Sequence, residues 1–299
     1  MIITGKKFSK PAMSRVINGD VVLDSAETKP EKFRLDHLLV EQHPEYNRSS
    51  LQTFIKSGFV TVDGKTAKKP NAKYLKTAQI VLAIPEPELP RSSQVPTVIY
   101  EDTNVKVLNK PAGLLSMAKG EYCPEPTLED YGLLVHRLDR DTSGVVILAK
   151  TPEVQKQLRR QFQDRKAKKT YLAVVEGQPK LAEAKIDLPL ARNLKHPTTF
   201  QVDPNGKPAV TFYKVLATSE QYSLLELKPI TGRTHQLRVH LKYLGTPILG
   251  DRVYGSAKSN TLSRLFLHAK TLEITIPEGD RRTFEAPVPP EFTKLFEVS

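Results

Sequence analysis

Apolar residues early in the chain recur at two different periods. Leu35, Leu38 and Leu39 share one helical face, and Leu51, Phe54 and Ile55 repeat that spacing behind Ser49 or Ser50, either of which suits an N-cap. Gly58 then supplies the left-handed stop that ends a helix. Val60 and Val62 alternate around Thr61, Asp63-Gly64 is a tight-turn pair, and Ile80–Leu82 reads as a closing strand. Residues 33–86 are therefore expected to form a small α+β unit. Residues 1–32 carry no sustained period and read as a loosely held arm.

Periodicity fails at Pro85-Glu-Pro-Glu-Leu-Pro90, whose prolines favour an extended, stiff connector; the boundary falls there, with a linker over 87–97. Strand patterns dominate the remainder, 98–299: Thr97–Tyr100, Val105–Leu108, Val145–Leu148, Tyr171–Val175, Val210–Leu216, Ser223–Leu227 and Leu272–Ile276. Thr151-Pro152 opens a helix with N-cap and first-turn proline in the preferred order, and Val154, Leu158 and Phe162 form its apolar stripe. A shorter helix spans roughly His235 to Tyr243 and stops before Gly245. Many strands with few helices between them predict an α+β fold. Its main domain is a largely antiparallel mixed sheet flanked by helices and loops, preceded by the small α+β module.

Charge adds a partner to this picture. A formal net charge of +12 at pH 7 makes polyanions, nucleic acid foremost, the expected ligands. A single cysteine, Cys123, allows no internal disulfide and points to a reducing cytoplasm. No apolar run reaches the length of a membrane span, and a monomer is the default expectation.

Several short patterns resemble known chemistry and fail on context. Gly64-Lys65-Thr66 looks like the end of a phosphate-binding loop, but the preceding Gly58 is one position too far and the flanks are strand–turn–strand. His136-Arg137-Leu138-Asp139 looks like a kinase catalytic loop without a glycine-rich strand pair upstream. His235 and His240 are five apart, and with one cysteine no zinc-type ligand set assembles. Metal-free chemistry on carboxylate, tyrosine or arginine is the expectation.

Two stretches survive. In Val135-His-Arg-Leu-Asp-Arg-Asp-Thr-Ser-Gly-Val-Val-Ile-Leu-Ala-Lys150, ionisable residues crowd the mouth of a buried-looking strand. A rigid scaffold presents reactive groups this way, although a polar loop capped by a turn fits the pattern equally. By spacing alone, Asp139 and Asp141 are both candidates. In Pro229-Ile-Thr-Gly-Arg-Thr-His-Gln-Leu-Arg-Val-His-Leu241, Arg233 stands at a helix entrance, where free amides and the helix dipole favour an anion. It would hold a carboxylate ionised or bind a phosphate; a structural ion pair is the plainer alternative. Arg238 and His240 suit structural roles on the flank of that helix. Pattern alone makes Tyr171 a sheet residue packed in the core. The basic residues Lys156, Arg159 and Arg160, continuing to Arg165, Lys166, Lys168 and Lys169, would ordinarily be a solvated face. They lead directly into the strand of Tyr171, which favours phosphate contact.

Together these two stretches closely resemble the two main motifs of the RluA family of pseudouridine synthases. The resemblance continues through Lys110-Pro-Ala-Gly113, Lys168-Lys-Thr-Tyr171 with Gly177, Lys207-Pro-Ala-Val-Thr211, Gly245-Thr-Pro-Ile-Leu-Gly-Asp251 with Tyr254, and Arg264-Leu-Phe-Leu-His-Ala269, in family order. After Lys110-Pro111 the family commonly carries an apolar pair and a histidine-proline, whereas this chain has Leu114-Leu-Ser-Met-Ala118. The N-terminal unit resembles the S-four-like RNA-binding domain at Arg34-Leu-Asp36, Leu39, Arg48-Ser-Ser50, Ile55, Gly58 and Val60-x-Val-Asp-Gly64.

The resemblance implies isomerisation of selected uridines in structured RNA to pseudouridine, without a cofactor. It implies large-subunit ribosomal RNA ahead of transfer RNA. Asp139 would be the catalytic carboxylate, Tyr171 would stack on or beside the extracted uracil, and Arg233 would pair with Asp139. Arg137 would fill the space left by the flipped nucleotide and Leu237 would pack against the base. RNA contacts fall to Arg34, Arg48, Lys156, Arg159, Arg160, Lys168 and Lys169. The alternative is a non-catalytic RNA-binding or ribosome-assembly factor on the same scaffold.

Overall fold

The computed structural model describes residues 30–84, 95–118, 125–256 and 261–296, with the backbone alone at 15–17 and 20–22. The connector at Pro85–Pro90 and Cys123 lie outside the described residues. The chain divides into two compact units, Met1–Pro85 and Glu86–Ser299.

In the first unit β1 (Arg15–Ile17) and β2 (Asp20–Val22) pair antiparallel. The segment expected to be a loose arm thus contains a hairpin, with strands too short to show a period. It is followed by β3 (Lys32–Arg34), α1 (Leu35–Gln42), α2 (Arg48–Ser57), β4 (Val60–Val62), β5 (Lys65–Thr66), β6 (Lys73–Leu75) and β7 (Ile80–Leu82). The six apolar residues of the helical pattern are all buried. The N-cap of α2 is Asn47, not Ser49 or Ser50: its side chain accepts the Ser50 amide at 3.0 Å, which draws both serines into the first turn. Asp63 (φ 50°) and Gly64 (φ 76°) both take the left-handed conformation that a two-residue hairpin needs.

The second unit runs β8 (Thr97–Glu101), β9 (Val105–Lys110), β10 (Leu133–Leu134), β11 (Ser143–Ala149), α3 (Pro152–Gln163), β12 (Lys168–Glu176), β13 (Glu183–Asp187), β14 (Leu190–Arg192), β15 (Phe200–Val202), β16 (Val210–Thr218), β17 (Tyr222–Pro229), α4 (Gln236–Tyr243), β18 (Leu267–Thr275), β19 (Arg281–Glu285) and α5 (Glu291–Lys294). One ten-stranded sheet has the order β13-β16-β17-β12-β18-β11-β9-β8, with β10 added to β11 and β19 to β18. Its pairings are antiparallel except β11 with β18, so the sheet is mixed and largely antiparallel, as predicted.

β11 is buried along its whole length because both faces are covered. Val145 and Ile147 pack with Val154 and Leu158 of α3, while Val146 and Leu148 pack with Leu108, Leu114 and Leu128. β11 meets β18 only at Ser143↔His268 and Gly144↔Ala269. That close approach demands glycine: at φ 115°, a Cβ on Gly144 would stand 2.2 Å from the Ala269 carbonyl oxygen. The joint fixes the start of β11, and with it the residues that precede it.

Candidate active site

A cavity of about 480 Å³ lies against the middle of the sheet. Its walls come from the loop before β11 with Asp139, from β12 with Lys169 and Tyr171, and from the entrance of α4 with Leu237 and Arg238. The volume is that of an ordinary small-ligand site.

Asp139 is 21% exposed, and two groups approach its Oδ2. Arg238 Nη1 donates at 3.4 Å and His235 Nε2 lies at 4.0 Å. The same guanidinium clamps Asp251, its Nε and Nη2 donating to the two carboxylate oxygens at 2.7 and 2.8 Å. Burial alone would raise the Asp251 carboxyl, but the Arg238 fork outweighs it and holds the group below its ordinary range. The two aspartates left open by spacing are separated here: Asp139 lines the cavity, and Asp141 is exposed and does not.

The loop carrying Asp139 is held from beneath. Lys110 is wholly buried, and its Nζ donates to the carbonyls of Pro111, Arg140 and Thr142 at 2.9, 2.7 and 2.8 Å. Burial brings its ammonium down to about 7. The departure at Leu114–Ala118 has a local use as well. Ser116 Oγ donates to the Leu138 carbonyl at 2.7 Å and accepts its amide at 3.1 Å, bracing the residue before Asp139.

Tyr171 is half-buried on β12, paired with Leu227 and Ala269, and it faces the cavity rather than lying wholly in the core. Burial, followed by the Asp139 charge, pushes its phenol well above the usual range. It therefore stays protonated at neutral pH. Lys169, two residues earlier, lines the same cavity, and burial lowers its ammonium to about 8.

Arg233 does not fill the place expected for it. It is exposed on the cavity rim, and its Nε donates to the Pro208 carbonyl at 3.1 Å. Among the described residues the arginine paired with Asp139 is Arg238. The reason is position: Arg233 sits on the loop ahead of α4, whereas Arg238 lies inside the helix, buried between the two aspartates. Gln236 fixes that loop, its Oε1 accepting from the Arg233 amide at 3.0 Å and from Thr231 Oγ1 at 2.7 Å.

Arg137 is exposed beside Met117, and Leu237 lines the cavity while 6% exposed. The basic residues divide by commitment. Arg159 donates to the Leu134 carbonyl at 3.2 and 2.8 Å and Lys168 pairs with Glu273 at 3.5 Å, while Lys156 and Arg160 are exposed on α3. In the first unit Arg34 and Arg48 both bind the buried Asp36 at 2.9 Å, yet keep 41% and 49% of their side chains exposed. Burial opposes the Asp36 charge, and Arg34, Gln52 and Arg48 together hold its carboxyl far below the ordinary range.

Sequence reasoning missed His235 as a neighbour of Asp139. His235 immediately precedes α4 in a left-handed conformation (φ 55°), which nothing in its residue type announces. Thr142 is 2% exposed, lines the cavity and has a hydroxyl with no partner among the described residues.

Residues 104–243 match the family of RNA pseudouridylate synthases, and residues 33–80 match the S4 domain. A protein of Aquifex aeolicus named as an uncharacterized RNA pseudouridine synthase is 37% identical, over 79% of this chain and 81% of its own. The ribosomal large subunit pseudouridine synthase D of Haemophilus influenzae is 33% identical, over 91% of this chain and 93% of its own. Among solved structures, human RNA pseudouridylate synthase domain containing 1 superimposes with a TM-score of 0.60 at 28% identity, covering 70% of this chain and 89% of that one. The chain belongs to the RNA pseudouridine synthase family, of the RluA type, with an S4 domain ahead of the synthase fold.

Proposed function

We propose that this protein converts uridines of large-subunit ribosomal RNA to pseudouridine with Asp139 as the reacting carboxylate. The observation that carries the reading is the convergence of Asp139, Tyr171 and Arg238 on one cavity. The reaction breaks the bond between ribose and uracil nitrogen, turns the base, and rejoins it through a ring carbon. It needs an anion to bond with the sugar or to stabilise its developing positive charge, as glycosidase carboxylates do. Arg238 orients Asp139 through Oδ2 and sets a fixed positive charge beside it.

A uridine in folded RNA must first leave its stack. Arg137, exposed and lining the cavity, would fill the gap. Tyr171 and Leu237 would hold the base between an aromatic and an aliphatic wall, and the protonated phenol is available as a hydrogen-bond donor. Arg233 on the rim and Lys169 inside would contact phosphate, and Arg34 and Arg48 would do so on the S4 domain at 33–86. The synthase domain accounts for 98–299. The ribosomal target is supported by relatives named for the large subunit, the one from Vibrio vulnificus being 35% identical over 89% of this chain. Pseudouridine maps of total RNA from cells with and without the gene test the reading. Loss of sites confined to large-subunit RNA is expected; identical maps would reject it.

A further inference from the structure

The tautomer of His235 follows from the groups around it. Tyr254 is 4% exposed; its hydroxyl oxygen accepts the Phe200 amide at 2.8 Å and lies 2.9 Å from His235 Nδ1. A backbone amide only donates, so it occupies a lone pair of the phenol and leaves the phenol proton in need of an acceptor. Among the described residues that acceptor is His235 Nδ1. An imidazole that accepts at Nδ1 carries its hydrogen on Nε2, the nitrogen 4.0 Å from Asp139 Oδ2. Burial, helped by Arg238 and Arg137 and opposed by Asp139 and Asp251, keeps the ring below its ordinary titration range and therefore neutral at pH 7.

The ring is wedged as well as bonded. Phe200 and Tyr254 pack edge-on against it at 5.8 and 5.5 Å, and its backbone holds φ 55°, a conformation a non-glycine residue adopts at a cost. Both groups near Asp139 approach Oδ2; among the described residues none hydrogen-bonds Oδ1.

We propose that Tyr254 and His235 form a positioning pair for Asp139: the phenol fixes the imidazole as its Nε2–H tautomer, and that N–H closes on Oδ2 when a nucleotide fills the cavity, reserving Oδ1 for the sugar. Hydrogen bonds of this kind are commonly long in an empty site and tighten in the complex. The inference rests on Asp139 being the reacting group.

Two measurements on the full chain test it. Nitrogen-15 spectra of histidine-labelled protein report the tautomer without any RNA, with His235→Asn, which keeps the left-handed backbone, identifying the resonance. The Nε2–H form is expected, and Tyr254→Phe should shift the ring toward the other tautomer. An Nδ1–H ring in the unaltered protein would overturn the proposal. The second measurement is single-turnover pseudouridine formation on an unmodified bacterial large-subunit RNA transcript, alongside filter binding of the same transcript. Tyr254→Phe and His235→Asn should each slow the reaction roughly five- to tenfold with unchanged affinity, the value of one neutral hydrogen bond. A rate within twofold for Tyr254→Phe, or an equal loss of affinity, would overturn the positioning role. Full activity in Asp139→Asn would instead reject the underlying reading and leave the tautomer result standing.

Discussion

The guanidinium of Arg238 stands 3.4 Å from Asp139 Oδ2 while its other two donors clamp Asp251 at 2.7 and 2.8 Å. Asp251 is wholly buried, so Arg238 is anchored before it ever meets Asp139. A cation fixed this way orients the second carboxylate without adjusting to it. The arrangement separates the two arginines at α4: one inside the helix meets Asp139, and one on the rim is exposed, its Nε donating to the Pro208 carbonyl.

Replacing Arg238 should therefore cost both stability and chemistry. Arg238→Gln is expected to lower stability by about 3 kcal/mol, because Asp251 keeps a buried charge without its partner. It should also slow single-turnover pseudouridine formation by about a hundredfold or more. Arg233→Gln should weaken RNA binding several-fold and leave the saturated rate within about threefold. Thermal melts, filter binding and saturated rates on the two variants check the division; equal losses at both positions would contradict it.

The sequence made much of this legible where one local rule decides the outcome. Thr151-Pro152, Gly58 and Asp63-Gly64 stand where capping and turn chemistry put them. β11 announced itself as a continuous apolar run because both of its faces are buried. What stayed hidden depends on tertiary placement. Arg233 and Arg238 differ by five positions in one motif, and nothing in their spacing tells which meets Asp139 across a gap of about a hundred residues. The short strands β14 and β15 carry too few residues to show alternation. The role of Tyr254 depends on its contacts with Phe200 and His235, which lie far apart in the chain.

Tyr171 should separate stacking from hydrogen bonding. Tyr171→Phe retains the ring, so affinity for RNA is expected to stay within twofold while the reaction slows. Tyr171→Ala removes the platform and should weaken binding of the target by about tenfold, in the range of one base–aromatic stack. Filter binding and single-turnover rates distinguish the two.

Lys169 gives a pH dependence with a definite sign. Its ammonium, lowered to about 8 by burial, is charged below that pH and neutral above it. Attraction for phosphate is thus present at pH 7 and fades as the pH rises through 8. RNA affinity should fall between pH 7 and 9, and Lys169→Gln should be weaker at pH 7 and nearly flat over the same interval. Equal slopes for both proteins would refute the contact.

Gly144 tests the joint between β11 and β18. A methyl group there meets the Ala269 carbonyl oxygen at 2.2 Å, and the backbone at φ 115° disfavours any side chain. Gly144→Ala is expected to destabilise the synthase unit by about 3 kcal/mol or more. A melting temperature within a degree or two of the unaltered protein would contradict the packing described.

The most direct measurement is single-turnover pseudouridine formation by Asp139→Asn and Asp141→Asn, with RNA affinity recorded for each. Asp139→Asn should bind as the unaltered protein does and form no detectable product, while Asp141→Asn should retain most of its rate. Turnover by Asp139→Asn, or its loss in Asp141→Asn alone, would contradict the account.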